Sequence, residues 1–183
     1  MQFHMLAKET ALVSLAYVLA FLVTYDLLTP LQDIFFPDFT SHASLLFLPH
    51  GIRVLSAWLL GWRSAITLTP GVFLVFFNVA GSGVFAPSRI IAILVAVIVP
   101  AATFHIFRLI KWDLSPQPDK KPCWPCIMMA GFVISVITSL LTNYAFGSAS
   151  EDYIAYLIGD VFGLFFMMLI LMFVFRFFRS RQQ

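Results

Sequence analysis

Apolar residues fall along this 183-residue chain in six blocks of about 20. That length carries an α-helix, rising about 1.5 Å per residue, across a hydrocarbon layer about 30 Å thick. The blocks predict membrane-spanning helices over about 10–28, 44–62, 65–80, 88–110, 126–146 and 153–175. In the second block the run Pro49-His50-Gly51-Ile52-Arg53 interrupts the outer part. The pattern predicts an all-α polytopic transmembrane bundle of about six spans, forming a single integral membrane domain over 1–183.

Two connections exceed a tight turn. The stretch 29–43 mixes Leu31, Ile34, Phe35, Phe36 and Phe39 with Pro30, Pro37, Asp33 and Asp38, a composition suited to the headgroup level, where it would lid the outer face. The stretch 111–125 is rich in proline and charge, includes Ser115-Pro116-Gln117-Pro118, and reads as an extended cytoplasmic hinge between two groups of helices.

Composition removes the soluble alternatives. With 61% hydrophobic and 11% charged residues, a water-soluble fold of this size would expose far more contiguous apolar surface than monomers tolerate. The formal net charge of +2 forms no basic stripe, so nucleic acid is not an expected partner; the lipid bilayer is. The first apolar run follows no strongly basic segment and precedes no small-x-small cleavage site, so it reads as a retained helix.

Orientation follows from lysine and arginine, which stay on the cytoplasmic side. With both termini inside, Lys8, Arg63, Arg108, Lys111, Lys120, Lys121, Arg176, Arg179 and Arg181 all fall in the cytoplasm, and Asp33, Asp38, Glu151 and Asp152 fall outside. Arg53 and Arg89 alone dissent. An odd number of spans would put the basic C-terminal tail outside, which favours an even count over the rival of five spans and a re-entrant loop.

Ionisable groups within apolar helices are the informative residues, because each costs at least about 2.5 to 3.5 kcal/mol unless paired, hydrated or displaced. Arg53 lies about nine residues into the second block and Asp160 about eight into the sixth, both on inward-running helices, so they reach similar depth and are expected to pair. His50 stands one turn above Arg53, and Tyr156 one turn above Asp160. Asn78, Thr142, Asn143, Tyr25, Asp26 and Arg89 are expected near the same outward-facing cavity. One reading is a small-molecule pocket in which Arg53 and His50 meet an anionic or carbonyl group. The other is a structural ion pair that fixes helix register, and proton or ion transport is a third. His105, near the inner end of its helix, reads as interfacial.

Small residues point to close helix packing. Ala155, Gly159 and Gly163 recur every four residues, with Asp160 inside the G-x-x-x-G, and Ala16 and Ala20 form a similar face on the first helix. Cys123-Trp124-Pro125-Cys126 has the spacing of a redox dithiol, without the strand and helix that accompany such motifs in thioredoxin-like folds. Two thiols cannot complete a zinc site, so the cysteines are expected to be incidental or interfacial and no metal is expected. No nucleophile with a base, zinc-protease pattern or phosphate-binding glycine loop is visible, so neither enzymatic activity nor a cofactor is expected.

Phe47-Leu48-Pro49-His50-Gly51-Ile52-Arg53, then Leu59-Leu60-Gly61-Trp62-Arg63, then Pro70-Gly71-Val72-Phe73-Leu74 resembles the first type of bacterial membrane-associated sensor domain. Ile158-Gly159-Asp160-Val161-Phe162-Gly163-Leu164 is similar to the Gly-Asp-x-x-Gly of that family's last helix, and the order of the motifs agrees. The resemblance implies a non-enzymatic sensory or accessory subunit of the bacterial inner membrane. It would signal through a membrane-protein partner or a homo-oligomer, since members usually precede a kinase or a cyclic-dinucleotide enzyme and this chain stops at Gln183. A competing resemblance, carried by Ala16-Tyr17-Val18-Leu19-Ala20, is to the substrate-binding subunit of energy-coupling vitamin transporters. A structural subunit of a larger membrane complex is the third expectation.

Overall fold

A computed structural model describes residues 2–35, 44–117, 122–147 and 151–180, and among them the regular structure is entirely helical. The elements are α1 (Gln2–Leu22), α2 (Thr29–Phe35), α3 (Leu48–Leu60), α4 (Arg63–Ala80), α5 (Pro87–Leu109), α6 (Trp124–Phe146) and α7 (Glu151–Ser180). Five helical segments are long and apolar enough to cross a membrane: His4–Phe35, Arg63–Phe85, Pro87–Leu109, Trp124–Phe146 and Tyr153–Val174.

The second predicted span is shorter than expected. Only Leu48–Leu60 is helical, about 20 Å of axis. Pro49 does not interrupt this helix; it lies in its first turn, where a missing N–H leaves no bond unmade. The described part of this segment starts inside the bundle and runs to its charged end. Near its start the Leu48 N–H donates to Thr24 Oγ1, late in the first span, and near its end Trp58 Nε1 donates to the Leu114 carbonyl beyond α5. Among the described residues, then, five long segments and one short helix, α3, stand where six spans are expected. The lipid-free position of α3 explains its length: His50, Gly51 and residues 53–57 are all buried among the other helices.

The first span is longer than expected. An outer connection is expected from residue 29, but α1 continues through a π-helical turn, Val23–Leu28, into α2. The wider turn moves the Thr29 N–H onto the Thr24 carbonyl and carries the chain past Pro30, which donates nothing. The helix therefore holds residues 29–35 of the proposed lid, while 36–43 lie outside the described residues. The remaining helices start and end within a few residues of expectation, except that α7 extends to Ser180.

Two apolar clusters flank α3. Tyr17, Leu68, Val72, Val75, Ile93, Ala96 and Val97 join α1, α4 and α5; Val54, Leu55, Ile127, Ile134, Leu164 and Met168 join α3, α6 and α7. Outside them, Ile66, Leu94, Phe166 and Phe173 are among many large apolar side chains left exposed, as acyl chains require. Charge collects at one end. Arg63 Nη2 lies 2.6 Å from Glu9 Oε2, so the α3–α4 turn sits beside the start of α1, and Arg108 approaches Asp113 at 4.0 Å. At that turn Gly61 has φ 56°, a conformation that a side chain would strain, and its N–H caps α3 on the Ala57 carbonyl.

The packing of α1 on α4 uses the flaw that Pro70 puts into α4. The Ser14 hydroxyl donates to the Thr67 carbonyl at 2.8 Å and accepts the Gly71 N–H at 3.0 Å, bridging the weakened turn. A Cβ on Gly71 would lie 2.8 Å from Ser14 Cα, so glycine is what admits the neighbouring backbone. Ser14→Ala is expected to cost about 1 to 3 kcal/mol by leaving a buried donor and acceptor unpaired. The readout is the unfolding midpoint in mild detergent, and an unchanged midpoint would contradict the bridge.

The cysteines depart from expectation. Cys123 and Cys126 are joined in a disulfide across the first turn of α6, with Cα atoms 5.2 Å apart, because residues three apart share a helix face. The bond ties one turn to itself and links no distant segments.

Candidate functional site

The polar floor of the site is built where α3, α6 and α7 converge. Gly159 and Gly163 let the backbone before α3 lie directly on α7: a Cβ on Gly159 would strike the Ser44 carbonyl oxygen, and one on Gly163 would strike that of Phe47. The Phe47 N–H donates to the Gly159 carbonyl at 2.9 Å. This close approach sets Asp160, on the same turn of α7, beside the first turns of α3. With Ala155 also buried, the small face of α7 serves packing inside the chain. On α1, Ala20 is buried and Ala16 half-buried.

Asp160 is surrounded by three partners. Ser135 Oγ donates to its Oδ2 at 2.6 Å, His50 Nδ1 lies 3.3 Å from the same oxygen, and Arg53 Nη2 lies 3.8 Å from Oδ1. The structure thus brings Arg53 and Asp160 together, both about 95% buried, but at ion-pair distance and not in a direct hydrogen bond. The short bond comes from Ser135, which was not singled out in the sequence. His50 is fully buried behind the pair. Its Nε2 lies 3.2 Å from the Gly131 carbonyl, an acceptor only, so this nitrogen carries a hydrogen. Nδ1 lies between Arg53 Nη2 at 3.4 Å and Asp160 Oδ2 at 3.3 Å: in the neutral ring it accepts from the guanidinium, and only in the protonated ring does it donate to the carboxylate. The ring of Phe47 lies under the guanidinium, 5.6 Å from centroid to Cζ.

Above this floor opens a cavity of about 550 Å³, within the range of small-molecule sites. Arg53, Asp160, Thr138, Ser139, Thr142 and Asn143 supply much of its polar lining; Tyr17, Phe21, Tyr25, Phe47 and Phe76 supply aromatic wall; Ala80, Arg89, Phe146 and Tyr156 come from helix ends. Those ends belong to the face opposite the charged Arg63 and Glu9 end. Arg89 is half-buried there and donates from Nη1 to the Gly83 carbonyl at 2.8 Å.

Of the residues expected in the pocket, Arg53, Asp160, Asn143, Thr142, Tyr156, Tyr25 and Arg89 line it. His50 does not; it sits behind the wall and meets the Gly131 carbonyl, not a ligand. Asn78 is exposed on the outer face of α4, because the helical rotation that turns Val75 and Phe76 inward turns residue 78 away. Asp26 is likewise exposed. His105 is exposed, with its ring 5.9 Å from that of Trp62. The residues missed were Ser135, Thr138 and Ser139. Their signal was present in the sequence: Ser135, Thr138, Ser139, Thr142 and Asn143 follow three-four spacing and form one polar stripe on an otherwise apolar helix.

Fold and site together define a multi-pass helical membrane protein with a polar-floored cavity at one end of the bundle. No protein-family model, curated protein or solved structure matches this chain.

Proposed function

We propose that this chain is a non-enzymatic sensory or accessory subunit of a bacterial inner membrane, which binds a small ligand from the extracytoplasmic side and passes the occupied state to a membrane partner. The observation that carries the reading is the cavity whose floor, Arg53 and Asp160, joins α3 to α7, on whose backbone the segment leading into α3 already lies. A ligand that changes the ion pair pushes on α7 directly, and α7 is 30 residues long, about 45 Å, ending at the opposite side of the bundle. Support also comes from the segregation of charge: the basic end is the cytoplasmic one by the rule for lysine and arginine, which turns the cavity outward. The transporter-subunit alternative has less support, because Ala20 of its expected docking face is buried within the bundle.

Native mass spectrometry of the chain in mild detergent tests the binding role. Wild type is expected to retain a small non-protein molecule that Ala80→Trp, a plug at the cavity lip, releases. Identical spectra for both would count against it.

Orientation has its own test in cells. In a Cys123→Ser, Cys126→Ser background, Ser82→Cys is expected to react with a membrane-impermeant maleimide and Ser115→Cys to be protected. The reverse pattern would overturn the topology.

A further inference from the structure

The two basic residues that break the charge rule are the two that line the cavity. Arg53 and Arg89 lie on the extracytoplasmic half of a chain whose other lysines and arginines follow the opposite side, and both face one enclosed space. A cation near the outer half of a membrane bundle is costly to keep without an anion. Asp160 answers one of them. Among the described side chains no carboxylate pairs with Arg89, so the cavity wall carries two positive charges and one negative.

Hydrogen bonding leaves the same gap. Arg53 turns Nη2 toward His50 and Asp160, but its Nε has no partner among the described residues although the side chain is only 7% exposed. Thr138 Oγ1, on α6, is also buried with no partner among the described residues. Buried donors left unmet are uncommon in finished cores and mark a place for a missing acceptor. Both residues line the cavity, whose remaining wall is mostly aromatic and aliphatic.

Resting on the cavity reading above, we propose that the ligand is an amphipathic organic monoanion of the carboxylate class. Its acidic group lies between Arg53 and Arg89 with Thr138 donating to it, and its apolar body lies against Tyr17, Phe21 and Phe76. The anion brings the described wall of the cavity to neutrality. Its contact with Arg53 also competes with Asp160 for the guanidinium, which loosens α3 from α7 and so names the step by which binding is felt.

The experiment uses three probes with one aromatic body: 2-naphthylacetate, 2-naphthylacetamide and 2-(2-naphthyl)ethylamine. Each is titrated calorimetrically into the full chain in phosphatidylcholine nanodiscs. The carboxylate is expected to bind at least about tenfold more tightly than the amide, with the amine weakest, as a charge-assisted contact to arginine requires. Arg89→Gln, at the half-buried lip, narrows the gap between carboxylate and amide, whereas Thr138→Val weakens both. Plug-sensitive binding in which the amide or amine equals the carboxylate overturns the monoanion and leaves the cavity standing. Absence of any binding that Ala80→Trp removes overturns the cavity reading itself. Repeating the titration in phosphatidylcholine nanodiscs doped with oleate assigns the source of the carboxylate: competition points to the bilayer, and unchanged affinity to the aqueous side.

Discussion

Asp160→Ala is expected to destabilise the folded protein by about 3 to 5 kcal/mol, the cost of leaving a buried guanidinium without its counter-ion. Arg53→Met should cost a similar amount for the converse reason, since Asp160 would keep only Ser135 and His50 as neighbours. The pair Arg53→Met with Asp160→Leu should cost much less than the sum of the single changes, because no uncompensated charge remains. Reversible unfolding of the four proteins in one detergent measures the coupling. Additive losses would mean that the 3.8 Å approach carries no energy. The double variant separates stability from function as well: it keeps a folded bundle while removing the charged floor of the cavity.

A second large effect belongs to a residue with no chemistry at all. Gly163→Ala should cost about 3 kcal/mol, the upper end of overpacking, because its new methyl would meet the Phe47 carbonyl and not a movable side chain. Gly159→Ala, against the Ser44 carbonyl, should behave alike. Gly83→Ala is the control: its methyl would meet the far end of the Arg89 side chain, which can swing away, and the cost should stay below about 1 kcal/mol. Equal midpoints for Gly163→Ala and Gly83→Ala would show that α7 does not support the chain before α3. Both α7 glycine variants should also disturb the cavity, since Phe47 lines it.

These two predictions differ in how far each was legible beforehand. Arg53 and Asp160 were readable because charge in an apolar block is expensive, and equal depth on two helices running the same way leaves few other arrangements. The glycines were readable as a packing face but not as a packing partner. A G-x-x-x-G says that something approaches closely, and the partner here is the non-helical backbone of 44–47, not another helix. Asn78 shows the opposite failure. Its depth along α4 was sound, but depth says nothing of rotation, and the apolar neighbours Val75 and Phe76 point inward in its place. Ser135 escaped because a serine within a membrane helix can bond to its own backbone, so the residue type by itself signals little.

By itself the sequence determined the solvent, the helical class and the residues that must find partners. Those follow from length, hydropathy and the cost of charge in hydrocarbon, all properties of single segments. Only the tertiary structure decided that α3 would be a short helix buried among the others, that His50 would face a carbonyl behind the wall, and that Arg53 and Arg89 would share one cavity. Each of those depends on the rotation of one helix against another, which is set by where small residues admit a neighbouring backbone and not by any property of the segment that is rotated.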